Sequence, residues 1–184
     1  AVAAIVRDAA RDLTGADGAT FVLREGDRCH YADENAISPL WKGQRFPMSA
    51  CISGWVMLKG EPAVIPDIYS DPRIPVDAYR PTFVKSLVMV PIRRAAPIGA
   101  IGNYWARSRA PTAEEVAILQ SLADTTSVAL ENAQLYSGLQ SKIEDITSLN
   151  HTLAQQNEEL ERFTYICSHD MHEPVRLTIV ARWV

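Results

Sequence analysis

The chain has 184 residues, of which 47% are hydrophobic and 22% are charged, and its formal net charge at neutral pH is −4. This length allows one domain with an appendage and excludes two full enzyme domains. No basic stripe indicates nucleic acid as a partner, and no apolar run approaches the roughly 20 residues that would span a bilayer.

The first part of the chain predicts a helix followed by a hairpin. Residues 1–14 place apolar side chains on one helical face, and a glycine-containing segment then ends the helix. Residues 19–24 and 28–32 predict two strands joined by a tight turn at Gly26. The stretch from 33 to 47 has no clear period, so we expect a loop with one short strand.

The middle of the chain predicts a short helix, three strands and a long loop. Residues 51–60 predict a helix closed by a C-terminal glycine, and residues 62–66 predict a brief strand between two prolines. Residues 67–81 are rich in Pro, Asp and Tyr and predict a long ordered loop. Residues 86–92 and 98–105 are the clearest strands and should form a second hairpin.

A long helix is predicted to begin at Thr112, a capping residue with Glu115 three positions later. Apolar residues then recur at helical spacing as far as Phe163, and no proline interrupts them before Pro174. As one helix, the segment from Thr112 to His169 would be on the order of 85 Å long. A single globule cannot cover such a length, so we expect its second half to pack against a twin as a coiled coil.

The start of the chain and its cysteines indicate a cytoplasmic fragment. The apolar run at the start is too short, and too soon interrupted by Arg7, to be a signal peptide, and the missing initiator Met suggests a piece of a longer protein. Cys29, Cys51 and Cys167 are odd in number and share no CxxC spacing. We therefore expect reduced thiols, with no disulfide framework and no metal site.

Four stretches carry a family resemblance, namely Ile52–Val56, Gly60–Asp67, Val84–Ile92 and Ile98–Gly102. Together with the order of elements, they resemble a GAF domain over most of residues 1–135. The resemblance implies an α+β fold with a central antiparallel sheet, helices on one face and often a small-molecule pocket on the other. It also implies a role in sensing ligands, light or redox state, or in dimerisation.

Mostly aromatic side chains are candidates to line such a pocket, and they are Trp55, Met57, Tyr69, Tyr79, Phe83, Met89 and Tyr104. Aromatic rings with a few polar tips suit a small ligand. The same side chains can instead fill the domain's own core, which is the interpretation we favour. Cys51, at a helix start, is a candidate oxidant sensor with a lowered pKa, although a small buried helix residue is the simpler interpretation.

A covalently bound bilin is not expected. Resemblance to the phytochromes would imply a cysteine and a histidine on the segment before the Ser86 strand, and residues 79–85 contain neither. The pair Cys29-His30 lies in the early hairpin instead. The Asn-Lys…Phe…Asp-Glu pattern of cyclic-nucleotide-binding members is also absent, so we expect no cofactor in this chain.

The long helix ends in a histidine box that resembles the phosphoacceptor box of phytochrome-like sensor histidine kinases. The resemblance implies that His169 is the phosphoacceptor and that Asp170 orients its imidazole or accepts its proton. His172 lacks an adjacent acid and is the weaker candidate. Pro174 predicts a helix bend just past the histidine. Glu173 replaces the Thr or Asn that many members use to dephosphorylate the response regulator, which puts phosphatase activity in doubt.

The sequence therefore predicts a GAF sensor domain at 1–135, a coiled-coil signalling helix at 136–168 and a truncated start of a phosphoacceptor helix at 169–184. We expect the sensory part of a two-component histidine kinase that forms a parallel homodimer and serves a response regulator. ATP and Mg²⁺ are expected only in a separate catalytic domain. The chain shows no ATP-binding motif, so we expect it to be inactive alone.

Two other functions stay open. The chain could be a non-catalytic ligand-binding or dimerisation module in which the histidine box is a relic. A GAF-type enzyme such as a sulfoxide reductase would need reactive cysteines close together, for which Cys29 and Cys51 offer only a weak case.

Overall fold

A computed structural model describes the backbone of residues 2–180 and the side chains of residues 2–167. The elements are α1 (Val2–Thr14), β1 (Gly18–Glu25), β2 (Arg28–Ala36), β3 (Arg45–Pro47), a 3-10 turn (Met48–Ala50), α2 (Ile52–Lys59), β4 (Ala63–Ile65), α3 (Val76–Tyr79), β5 (Ser86–Ile92), β6 (Gly99–Trp105) and α4 (Ala113–Val180). The chain divides into two units, Ala1–Asn132 and Ala133–Val184.

The first unit is built on one six-stranded sheet in the order β3-β2-β1-β6-β5-β4. Each neighbouring pair is antiparallel. The two predicted hairpins, β1-β2 and β5-β6, meet where β1 pairs with β6, so that Phe21 lies opposite Ile101. This arrangement confirms the predicted α+β fold with a central antiparallel sheet.

The sheet separates two hydrophobic cores, because successive side chains of a strand point to opposite faces. On β5, Val88 and Val90 belong to a core that includes Val6 of α1 and Leu119 of α4. The alternate residues of β5 belong to a second core beneath α2 and the connecting loops. Every residue of β5 and β6 is buried, which is why these two strands gave the clearest sequence signal.

Strand β2 is longer than predicted, since it continues through Ala36 where a loop was expected. The polar stretch from 33 to 35 is covered by α1. Arg7 Nη1 donates to the carbonyl oxygen of Glu34 at 3.0 Å, and Asn35 Nδ2 donates to Asp8 Oδ1 at 2.6 Å. Because a helix satisfies these polar groups, the strand needs no alternation of apolar residues. The loop predicted at 67–81 likewise contains the single-turn helix α3.

Helix α4 begins with the capping box that the sequence predicts. The amide of Glu115 donates to Thr112 Oγ1 at 3.2 Å, and the amide of Thr112 donates to Glu115 Oε2 at 2.7 Å. Arg109 adds two further hydrogen bonds to the Glu115 carboxylate, at 2.9 and 2.8 Å. These contacts satisfy amides that the first turn of a helix leaves without partners.

In the second unit, the described side chains from 133 to 167 are all exposed. The large apolar ones among them are Leu135, Tyr136, Leu139, Ile143, Ile146, Leu149, Leu153, Leu160, Phe163, Tyr165 and Ile166. Within residues 2–180, no helix combines the length and the apolar character needed to cross a membrane.

Candidate functional site

An aromatic cluster covers the face of the sheet opposite α1. Its centre is Trp41, whose ring meets Tyr79 at 4.8 Å, Tyr31 at 5.5 Å and Tyr104 at 5.7 Å between centroids. Phe46 adds a perpendicular contact to Tyr31 at 5.5 Å. All four pairs have the edge-to-face geometry that aromatic rings favour, so the rings hold one another in place.

The hydroxyl groups of two buried tyrosines are paired within the protein. Tyr104 Oη lies 2.9 Å from Thr20 Oγ1, and Tyr31 Oη lies 3.1 Å from Ser53 Oγ. Burial is the main cause that raises the pKa of Tyr31, Tyr79 and Tyr104. The three phenols are therefore neutral at physiological pH and can act as hydrogen-bond groups, but not as bases.

The loop that carries Trp41 is held by one carboxylate. Glu34, on β2, accepts hydrogen bonds from the amides of Leu40 at 3.0 Å, Trp41 at 2.8 Å and Lys42 at 2.8 Å. Hydrogen bonds to a charged group are the strong ones. Glu34 thus determines where the loop places the indole of Trp41, although no sequence spacing pointed to this residue.

The cluster leaves little free space. A cavity of about 20 Å³ lies among the rings and is lined by Tyr31, Trp41, Phe46, Ala50, Cys51, Pro75, Ala78 and Tyr79. This is room for about one water-sized molecule, whereas pockets for organic ligands are usually several hundred Å³. A shallow groove of about 340 Å³ also contacts Trp41, Phe46 and Ala78. Trp41 contributes to the lining of both spaces.

Two thiols meet beside this cavity. Cys51 is the N-cap residue of α2 and is half-buried, and its Sγ lies 3.2 Å from Ser53 Oγ. Cys29 is fully buried on β2, where its thiol donates to Met48 Sδ at 3.4 Å, and its side chain interacts with that of Cys51 strongly enough to shift the pKa of both. The structure therefore places the two cysteines side by side, although they are 22 residues apart in sequence.

The contact between the thiols makes them unequal. The interaction with the Cys29 thiol is the main cause that lowers the pKa of Cys51 to about 6, against the opposing effect of burial, and the Ser53 hydroxyl lowers it further. The first amides of α2 contribute in the same direction, although the thiol makes no capping hydrogen bond. The contact with Cys51 and burial both raise the pKa of Cys29. Cys51 is thus a thiolate at neutral pH and Cys29 is a thiol.

The predicted pocket residues fall into three groups. Met57, Tyr79, Met89 and Tyr104 are buried in the core on this face, and Cys51, Trp55 and Phe83 are partly buried against it. Tyr69 is exposed, and its hydroxyl accepts a hydrogen bond from Lys85 Nζ at 3.3 Å. Sequence reasoning missed Trp41 and Glu34, because both lie in a stretch that showed no period.

The histidine box lies outside the described side chains. His169, Asp170, Glu173 and Pro174 all follow residue 167, so their predicted roles stay predictions. Among the side chains that are described, no group of three His, Cys, Asp or Glu residues is placed to hold a metal ion.

Comparison with known proteins gives a family and a fold. A family model described as GAF domain matches residues 1–131. A search of curated proteins gave no match. Among solved structures, the GAF-B domain of DevS from Mycobacterium smegmatis is similar, with a TM-score of 0.63 and 19% identity over 75% of this chain and 96% of that chain.

Two further solved structures are similar over most of their length. The blue-light-absorbing form of the PixJ GAF domain from Thermosynechococcus elongatus gives a TM-score of 0.67 and 17% identity, over 77% of this chain and 89% of that chain. A type II free methionine-R-sulfoxide reductase from Thermoplasma acidophilum gives a TM-score of 0.59 and 19% identity, over 68% of this chain and 89% of that chain. At such identities the likeness indicates a shared fold, and function has to be argued from the site.

Proposed function

The chain belongs to the GAF domain family, through residues 1–131, and we propose that it is the sensory and signal-transmitting part of a two-component histidine kinase. The observation that carries this proposal is helix α4. It begins at Ala113 and extends to Val180, so that one helix contains both packed residues of the GAF domain and the sequence of the histidine box.

The exposed side of α4 supports a two-stranded coiled coil. A set of residues recurs at intervals of seven, and its members are Leu139, Ile146, Leu153, Leu160 and Cys167. Leu149 and Phe163 each follow a member of this set by three positions. The four aliphatic members are between 48% and 68% exposed. Such a seam is buried when a second copy packs along it, so the occupant we propose is a second, parallel copy of this chain.

In the proposed reaction, a neutral imidazole nitrogen of His169 attacks the γ-phosphorus of ATP. A nitrogen–phosphorus bond forms, the bond to the bridging oxygen breaks, and ADP leaves. Asp170 orients the ring or accepts its proton. ATP and Mg²⁺ are supplied by a kinase catalytic domain, and a response regulator receives the phosphoryl group. The task of this chain is to present the histidine and to change its presentation when the GAF domain changes state.

We expect oxidation with copper-phenanthroline to cross-link the chain through Cys167. In a parallel, in-register dimer the two Cys167 side chains face each other across the seam, within reach of a disulfide. The product is a dimer band on non-reducing gels that disappears in Cys167→Ser. An antiparallel pair would separate the thiols and give no band. If sedimentation showed that the chain is a monomer at high micromolar concentration, this result would also refute the parallel dimer.

We expect His169→Gln to abolish phosphorylation of the chain. The assay supplies the separate ATP-binding domain of a related histidine kinase with γ-labelled ATP, and the label on the wild-type chain should be acid-labile. Glutamine keeps a polar side chain of similar size but offers no nucleophilic nitrogen, so the label is lost. The matched control is His172→Gln, three residues away, which should keep its label.

Two results would contradict this assignment. Label that persists after His169→Gln would place the phosphoryl group elsewhere. A dimer that accepts no label from any supplied kinase domain would favour the alternative function, a non-catalytic ligand-binding or dimerisation module with a relic histidine box.

A further inference from the structure

We propose that Cys51 and Cys29 form a redox-active dithiol that reduces hydrogen peroxide and closes to an intramolecular disulfide. This site is separate from the histidine box, and the inference does not depend on the proposed kinase role. It rests on the position of the two thiols, on their unequal exposure and on the small cavity at Cys51.

The fold brings the thiols together through one short connection. Cys29, on β2, pairs with Phe46 on β3. The chain leaves β3 at Pro47 and makes a 3-10 turn, where the amide of Met48 donates to the carbonyl oxygen of Asp27 at 2.9 Å. This turn leads back to Cys51 at the start of α2. Both partners of the pair are therefore held by backbone hydrogen bonds and not by mobile side chains alone.

The two thiols have complementary environments. Cys51 is half-buried and borders the small cavity of about 20 Å³, so its sulfur is the one of the two that a small oxidant can approach. Cys29 is fully buried behind it and has no access to solvent of its own. An oxidant must therefore meet Cys51 first. An accessible nucleophilic cysteine that interacts with a second, buried cysteine is the arrangement that reversible thiol oxidation needs.

The ionisation of the two thiols also favours Cys51 as the one that is oxidised first. A thiol with a pKa of about 6 is mostly ionised at pH 7, and its thiolate fraction is roughly thirtyfold larger than that of a thiol with the ordinary value near 8.5. The raised pKa of Cys29 keeps its proton in place. That proton is the one required by the second step of the reaction.

The reaction balances in two steps. The Cys51 thiolate attacks one oxygen of the peroxide, a sulfur–oxygen bond forms, the oxygen–oxygen bond breaks, and hydroxide leaves and takes up a proton to become water. Cys51 is then a sulfenic acid. Cys29 next attacks this sulfur, a sulfur–sulfur bond forms, the sulfur–oxygen bond breaks, and the thiol proton leaves with the hydroxyl as a second water. The two sulfurs lose two electrons in total, and the peroxide gains them.

The experiment uses the full chain with Cys167→Ser, which leaves only the proposed pair. The reduced protein is treated with hydrogen peroxide, the remaining thiols are blocked with N-ethylmaleimide, and peptide mass mapping identifies the products. We expect a Cys29–Cys51 disulfide that dithiothreitol reverses. The rate should be half-maximal near pH 6, because protonation of Cys51 at lower pH removes the nucleophile.

Single-cysteine variants separate the two roles. With Cys29→Ser in the same background, Cys51 should stop at the sulfenic acid, which dimedone traps. With Cys51→Ser, oxidation of Cys29 should slow at least about tenfold. Circular dichroism checks that each variant is folded, and Cys29→Ala replaces the serine variant if the buried hydroxyl unfolds it.

Three outcomes would overturn the proposal. In the first, the folded Cys167→Ser protein is treated with peroxide and N-ethylmaleimide still reacts with both thiols. In the second, a disulfide forms only between two chains. In the third, the oxidation rate of Cys29 is the same in Cys51→Ser as in the protein that keeps Cys51. None of them bears on phosphorylation of His169, so failure here leaves the proposed function standing.

Discussion

Gly54→Ala is expected to destabilise the GAF domain by about 3 kcal/mol or more, at the upper end of what overpacking costs. A β-carbon at position 54 would lie 2.5 Å from the carbonyl carbon and 2.6 Å from the Cα of Met48, and nearer still to the carbonyl oxygen. These are backbone atoms of the 3-10 turn, so no rotamer change relieves the collision. Helix α2 would have to move away from the core that it covers.

Urea denaturation measures this loss as a lower free energy of unfolding, and Gly138→Ala is the matched control. Gly138 lies in α4, and a β-carbon there would meet no atom within 4 Å. Alanine should therefore stabilise the helix by about 1 kcal/mol through propensity alone. If the free energy of unfolding of Gly54→Ala were within about 1 kcal/mol of the wild-type value, a change no larger than helix propensity alone would cause, α2 would not pack on the turn as described.

Trp41→Ala is expected to lower the free energy of unfolding by about 3–5 kcal/mol, the usual range for removing a large buried aromatic side chain. Trp41 is only 6% exposed and contacts three tyrosine rings. Because it lines both the small cavity and the shallow groove, its loss should join them into one apolar pocket. Added indole should then bind the variant and raise its melting temperature, since a ligand that binds only the folded state stabilises it.

Trp55→Ala is the matched control for this prediction. Trp55 is partly buried, and one face of its ring is covered by the Arg73 guanidinium at 4.6 Å. Its removal should lower the free energy of unfolding by clearly less than the removal of Trp41, and it should create no site for indole. Equal losses for the two tryptophans, or an indole effect on the wild type, would show that Trp41 does not fill the pocket.

Much of the sheet could be predicted from the sequence, because its signals are local. β5 and β6 are mostly apolar and buried at every position, and the turn at Gly26 has the positive φ of 63° that glycine tolerates best. The capping box of α4 depends on two residues three positions apart. Such patterns need no knowledge of distant parts of the chain.

The aromatic site could not be predicted in the same way. Trp41 takes its place from Glu34, and their stretch has no hydrophobic period because α1 and the loop satisfy its polar groups. The pairing of Cys29 with Cys51 likewise depends on the register of β2 with β3 and on the turn that follows. Each of these contacts is decided by tertiary structure, on which single-sequence patterns carry little information.

The two outermost strands of the sheet, β3 and β4, have three residues each. Pro47 ends the first, and Pro62 and Pro66 flank the second, so both borders offer few free amides to an incoming strand. Growth of the sheet from one molecule into the next is therefore disfavoured at either side. Copies of this domain can be brought to high local concentration by a helical contact without polymerising through their strands.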